Sequence, residues 1–258
     1  MIVKLLAHTQ LSDEMAYLMK PDDFTHWCTD GQAVALTAIR TCYSPGKPSE
    51  IVAKEGVKYF GSQAKDGKGG TEADRLFRQI MASKHTSTVE HLSFTFAIEG
   101  VSRALLAQLT RHRVGFSYSV QSQRYVKFGS GDRSGGFEHV VPDSIPKAKD
   151  VDWVNSDGED GFAGAGYIFA DAMYFAQKAY DALRQAGVPA EDARAVLPNA
   201  AACNLVMTAN LRALLEFYSK RKPGNGAQAE IANLAEALKD AVISVEPWTK
   251  PFFEGEAK

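Results

Sequence analysis

The densest run of potentially reactive side chains lies between Gln108 and Tyr125 (QLTRHRVGFSYSVQSQRY). Arg111, His112, Arg113 and Arg124 set four potential cations among Phe116, Tyr118 and Tyr125 and the hydroxyls of Ser117, Ser119 and Ser122. Guanidinium groups offer rigid forks to phosphate, and serine hydroxyls with backbone N–H groups complete an anion cradle. Gln108 and His112 stand at i, i+4, which on a helix lets both meet one ligand. A solvated basic helix end accounts for two such cations, because the C-terminal dipole favours them. It does not account for a run that adds three serines and three aromatics without any acid.

A second polar set follows Pro198, in NAAACNLVMTANLRALLEFYSKR, where Asn204, Thr208, Asn210, Arg212 and Glu216 interrupt an apolar surface. Buried arginine or asparagine is costly unless paired. An Arg212–Glu216 pair at i, i+4 explains those two, but not Asn210, Arg221 or the upstream Arg194 of DARAVLPN. Of the three cysteines, Cys203 sits among Ala and Leu and reads as a small buried hydrophobe, while Cys42 and Cys28 have only Arg40 and His26 two residues away. Ser122 has no general base beside it in sequence, which favours a ligand over a nucleophile.

Other signatures fail. Gly61 to Gly69 has five residues between its glycines where a phosphate loop needs four, and Gly129 to Gly136 lacks dinucleotide spacing. His85, Glu90 and His91 do not form HExxH, so no metal is expected.

The elements that must carry these residues can be placed. Residues 2–7 read as a strand, and Gln32 to Tyr43 as a helix followed by a Gly/Pro/Lys-rich connection. A helix starts at Thr71, where Thr71 and Asp74 have capping-box spacing. Leu92, Phe94, Phe96 and Ile98 alternate with polar or small residues as a strand. Val101, Ala104, Leu105, Gln108, Leu109 and His112 then fall at helical spacing. Gly129 to Asp160 reads as a long connection with one short strand, Phe137 to Val141. Three helical patterns close the chain: Phe162 to Leu183, Asn199 to Lys220, and Ile231 to Val245. The expected class is α+β, with a mixed or antiparallel sheet flanked by helices and a helix-rich second half, in a single domain over residues 1–258.

Lys+Arg (29) nearly balances Asp+Glu (31), which argues against non-specific polyanion binding as the main role while permitting a local basic pocket. The Arg/aromatic interleaving still admits a single-stranded nucleic-acid-binding module as an alternative. No apolar run is long enough to span a bilayer, and MIVKLLAHTQ lacks the features of a secretory signal. An odd cysteine count without CxxC spacing suits a reducing cytoplasm.

With RHRVGFSYSVQSQRY in view, the sequence resembles the flavin-dependent thymidylate synthases, whose signature is RHR, seven residues, a serine and then Arg-Tyr. HTSTVEHLSFTFAIEGVSRALLAQLTRHR, DARAVLPN, MTANLRALLEF and AQAEI are also similar to the family. The resemblance implies a homotetramer with active sites between subunits, binding FAD, dUMP, methylenetetrahydrofolate and NADPH. It implies reductive methylation of dUMP to dTMP without a cysteine nucleophile, with no nucleic-acid or membrane partner. Carried over by position, Ser87, Arg111, His112, Arg113, Asn210, Arg212 and Glu216 would contact FAD. Gln108, Arg111, Ser122, Gln123, Arg124 and Arg194 would hold dUMP, and Arg221 would sit against the uracil as the catalytic residue, favouring ionisation at N3. The chain departs from the pattern in having eight residues between RHR and Ser122, with Val114 or Gly115 as the extra one. Glu216 replaces the usual His or Asn, Lys222 to Gly226 is one residue longer, and Ala229 replaces a tryptophan. A homologue that binds flavin and nucleotide but turns over poorly is a further alternative.

Overall fold

The computed structural model describes residues 1–19, 28–155 and 157–255. Its centre is a four-stranded antiparallel sheet of order β1-β2-β6-β3, built from β1 (Ile2–His8), β2 (Ser93–Ser102), β3 (Phe116–Val120) and β6 (Ala202–Asn210). A separate hairpin pairs β4 (Val151–Val154) with β5 (Asp160–Ala163). The helices are α1 (Asp13–Met19), α2 (Asp30–Thr41), α3 (Ile51–Phe60), α4 (Glu72–Ala82), α5 (Arg103–Leu109), α6 (Ala165–Gln185), α7 (Ala190–Ala193), α8 (Leu211–Arg221), α9 (Ala229–Val245) and α10 (Lys250–Glu254).

Alternation decides which sheet face is buried. Phe94, Phe96 and Ile98 of β2 and Leu205, Met207 and Ala209 of β6 point inward, against Leu36 and Ile39 of α2, Phe77 of α4, Leu214 and Phe217 of α8, and Leu234 and Leu238 of α9. The outer face leaves Ile2, Leu6 and Val206 exposed among Ser117 and Ser119. Thr95 and Thr208 meet across it, their hydroxyls 2.9 Å apart.

Several expectations hold. The first strand and the strand through Leu92 to Ile98 are present, Thr71 caps α4 with the Asp74 reciprocal bond, and α9 spans the predicted stripe. The helix expected from Gln32 starts at Asp30, because Thr29 and Gln32 form a capping box. Others are overturned. Asn199 to Lys220 is not one helix. Cys203, Leu205, Met207 and Ala209 are buried and alternate with Asn204, Val206 and Thr208, so this stretch is the central strand, and Asn210 turns it into α8. Ala, Leu and Met favour helices intrinsically, and here pairing on both edges overrides that preference. Asn204 is accounted for by the sheet: its Oδ1 accepts the Gly100 N–H at 2.9 Å where β2 bulges, and its Nδ2 donates to Gln121 Oε1 at 3.2 Å.

Phe137 to Val141 forms only a single bridge, His139 to Ala201, rather than a strand. Phe162 lies in β5 rather than in the long helix, which begins at Ala165. The connection after Tyr43 contains α3. Among the described residues, no helix is long and apolar enough to cross a membrane.

Candidate functional site

The Arg-His-Arg turn is fixed from both sides. Helix α5 is capped by Ser102, whose Oγ accepts the Leu105 N–H at 3.0 Å, while Glu230 accepts the Ser102 N–H at 2.8 Å and its hydroxyl at 2.6 Å. The helix ends at Leu109, so His112 lies beyond it and does not share a helical face with Gln108. Gln108 Nε2 instead donates to Gln228 Oε1 at 2.5 Å. The Tyr118 hydroxyl reaches back from β3 to the carbonyls of Leu109, at 3.0 Å, and His112, at 2.7 Å. Burial pushes that phenol above its usual range, so it remains a donor.

The turn closes through Phe116 N–H to Arg113 O at 3.2 Å, with Gly115 at φ +76°. Gly115 O accepts the Asn210 N–H at 3.1 Å, and Asn210 Oδ1 caps α8 by accepting the Ala213 N–H at 2.9 Å. A Cβ on Gly115 would lie 2.7 Å from Ala213 Cβ and 2.8 Å from Asn210 Nδ2. The turn therefore lies along α8, with Gly115 at the helix start and His112 at its end.

At that end Arg221 Nε donates to His112 Nε2 at 3.2 Å, and the His112 ring meets Phe217 edge-on at 4.9 Å. Desolvation, then the cations Arg221, Lys220 and Arg111, hold the His112 imidazole below its usual value. At the other end Arg212 is bracketed by Glu90, at 2.5 Å, and Glu216, at 3.3 Å. Both Arg212 and Glu216 are exposed rather than buried, because they face away from the sheet. Glu90 follows the 3-10 turn Thr86–Val89 that carries the exposed Ser87. Ser87, Arg111, His112, Arg113, Asn210, Arg212 and Glu216 are thus brought to one side of the molecule. Asn210 and Arg221 stand at opposite ends of α8, as its N-cap and its last residue.

A second group forms past the other end of β3. The Ser122 Oγ accepts the Arg124 N–H at 3.1 Å, and Arg124 pairs with Glu191. Arg194 Nε donates to the Glu191 carbonyl at 2.8 Å, so Ser122, Arg124 and Arg194 lie together. Gln123 between them is buried. The basic run lacks acids in sequence, yet the fold brings Glu191 to it from a distant segment. A cavity of about 450 Å³ lined by Gln121, Tyr125, Lys127 and Arg133 opens beside this loop. Strand β3, at about 3.4 Å per residue, separates the two groups by roughly 14 Å within one chain. No carboxylate or imidazole among the described residues hydrogen-bonds the Ser122 hydroxyl.

The cysteines stay apart from both groups. Cys203 is buried, and desolvation raises its thiol. Burial, then Asp30 and Glu246, push Cys28 up to about 11, and His26 lies outside the described residues. Cys42 is exposed, with its Sγ 3.6 Å from the Ala38 carbonyl. Among the described residues no three His, Cys, Asp or Glu side chains gather as metal ligands.

Glu191 and Gln228 were not singled out by the sequence; Tyr118 stood out only as an aromatic of the basic run, and Glu90 only in a metal motif that fails. Each works by contact with a segment far along the chain or across a turn, and spacing alone carries no such signal.

Residues 24–248 match the family described as Thymidylate synthase complementing protein. A flavin-dependent thymidylate synthase of Geobacter sulfurreducens is 38% identical over 218 residues, covering 84% of this chain and 80% of its own. One of Halobacterium salinarum is 40% identical over 189 residues, covering 71% and 76%. Among solved structures, a UMP/dUMP methylase of Streptomyces cacaoi bound with 5-Br dUMP is similar with a TM-score of 0.67 and 23% identity, over 98% of this chain and 94% of that one. The flavin-dependent thymidylate synthase of Helicobacter pylori complexed with FAD and dUMP gives a TM-score of 0.62 at 22% identity, over 99% of each chain.

Proposed function

The chain belongs to the flavin-dependent thymidylate synthases, and on that premise we propose that it methylates dUMP to dTMP, using FAD, 5,10-methylenetetrahydrofolate and NADPH, in the cytoplasm. The observation that carries the reading is the 3.2 Å contact between Arg221 and His112, which joins two stretches of chain 109 positions apart. Both stretches were singled out for polar residues that a purely structural role does not explain.

The donor set fits a flavin dinucleotide. Arg111 and Arg113 are exposed and pair with no carboxylate among the described residues, and they flank His112 on the turn that runs along α8, an arrangement that suits a diphosphate. Ser87, His112 and Asn210 would complete that site, with Arg212 and Glu216 at its rim. Arg212 already serves Glu90 and Glu216, so a phosphate there would compete with two carboxylates. Bound FAD would supply the reducing equivalents that turn the folate methylene into a methyl group.

Ser122, Gln123, Arg124 and Arg194 would hold the nucleotide, chiefly at its phosphate, with Gln108 and Arg111 completing its enclosure. Arg221 would stabilise the pyrimidine anion formed by loss of the N3 proton, because a fixed cation favours the conjugate base of a neighbouring acid. No thiol is needed, and none is placed to attack.

Strand β3, roughly 14 Å long, stands between the Ser122 loop and the turn that carries His112 and meets Arg221, which supports a site completed between subunits. The exposed apolar residues Ile2, Leu6 and Val206 on the outer sheet face support association as well. We therefore read the working form as a homotetramer in which the nucleotide group of one subunit faces the flavin group of another.

Purified protein should carry FAD absorbance, and NADPH should bleach it faster when dUMP is present. A protein that takes up no FAD on reconstitution overturns the proposal. So does dTMP formation unchanged in Arg221→Ala.

A further inference from the structure

The contact between His112 and Arg221 has a definite polarity. The Arg221 Nε–H points at His112 Nε2 at 3.2 Å. Arginine carries no acceptor and does not lose its proton, so the imidazole nitrogen facing it is unprotonated. A neutral imidazole then bears its proton on Nδ1. The ring is held in place by its edge contact with Phe217, itself 1% exposed, and the Tyr118 hydroxyl on the His112 carbonyl holds the backbone. The charged groups acting on the ring are Arg221 and Lys220 from α8 and Arg111 from its own turn, and all three are cations.

We propose that His112 is a positioning residue for Arg221: its neutral Nε2 accepts the Arg221 Nε–H and so turns the terminal guanidinium nitrogens, the fork that reads planar anions, toward the ligand. This rests on the reading above in taking the pyrimidine as that ligand. Protonation of His112 removes the acceptor and sets a fourth cation against the three already present, so Arg221 is released. Nucleotide affinity and the His112 proton are therefore linked: affinity is full where the imidazole is neutral and falls as pH drops through its ionisation. Use of Nε2 on Arg221 also leaves only Nδ1–H and the ring face of His112 for any cofactor.

Six histidines make selective 15N-histidine NMR of the full-length protein tractable, with His112→Gln assigning the signal. The expected spectrum at neutral pH shows His112 protonated on Nδ1 and bare on Nε2, and Arg221→Met raises the pH at which the ring ionises. Protonation on Nε2 in the wild type, or an ionisation unmoved by Arg221→Met, overturns the proposal. The second arm is calorimetric titration of dUMP into FAD-loaded protein across the same pH range. His112→Leu should weaken binding about tenfold or more, the scale of one lost hydrogen bond to a charged group. His112→Gln, which keeps an acceptor oxygen, should recover most of the affinity and lose the pH dependence. Equal losses in both variants at equal FAD content overturn the positioning role. Wild-type protein that binds no dUMP at any pH refutes the functional reading instead, and the NMR arm then decides the His112–Arg221 pair by itself.

Discussion

Replacing Gly115 by alanine tests whether the Arg-His-Arg turn is held by its approach to α8. Two costs add. The residue sits at φ +76°, where an L side chain is disfavoured by about 1–2 kcal/mol. The new methyl would also stand 2.7 Å from Ala213 Cβ and 2.8 Å from Asn210 Nδ2, closer than packed atoms tolerate, and overpacking of this kind costs about 1–3 kcal/mol. The sum is about 2–5 kcal/mol; at about 2–4 °C per kcal/mol for a chain of this size, the melting temperature should fall by roughly 4–20 °C at fixed protein concentration. Ala213→Gly separates the two costs. Alone it loses about 1 kcal/mol of helix propensity, but combined with Gly115→Ala it removes the nearest clash, so the double variant should be less destabilised than the sum of the singles by about 1 kcal/mol or more. Val114→Ala, at a side chain 94% exposed, serves as the silent control. A Gly115→Ala protein melting within about 2 °C of wild type, or strictly additive singles, would show that the turn does not depend on this contact.

Tyr118→Phe removes the one hydroxyl shared by the Leu109 and His112 carbonyls and should cost about 1–2 kcal/mol in thermal or urea unfolding; an unchanged midpoint would mean that water caps those carbonyls equally well. Iodoacetamide applied to the native protein near pH 8 should label Cys42 first, because Cys203 is buried and the Cys28 thiol, pushed up to about 11, stays protonated. Peptide mapping that finds Cys28 or Cys203 modified before Cys42 contradicts that order.

The legible parts of the sequence were those where a local rule acts alone. Thr71 and Asp74 announce α4 because a capping box is contained in four residues, and Leu92 to Ile98 announce β2 because alternation needs no partner to be seen. The central strand was misread because Cys203 to Ala209 is paired along both edges and flanked by helix formers, so composition pointed one way and tertiary pairing the other. His112 was carried past the end of α5 because its spacing continues the stripe. The helix ends at Leu109, whose carbonyl accepts the Tyr118 hydroxyl from nine residues beyond, a contact that periodicity does not show. The two polar groups were recognisable as residue types, but their separation along β3 was not, since it depends on which strand the intervening residues join. Arg212 and Glu216 were expected to pair under cover; the pairing is there, on the surface, with Glu90 as a third member drawn from the loop before β2.

The sheet order has a consequence for how the chain is made. β6 lies between β2 and β3, yet it follows them by roughly a hundred positions, pairing Thr208 with both Thr95 and Ser117. During synthesis β2 and β3 therefore leave the ribosome with facing edges open, and they stay so until the last fifth of the chain is delivered. Such long-range closure slows folding and leaves nascent edges able to pair wrongly. Because β6 passes straight into α8 through Asn210, the event that seals those edges also brings Arg221 to His112, so that contact cannot form while the edges are open.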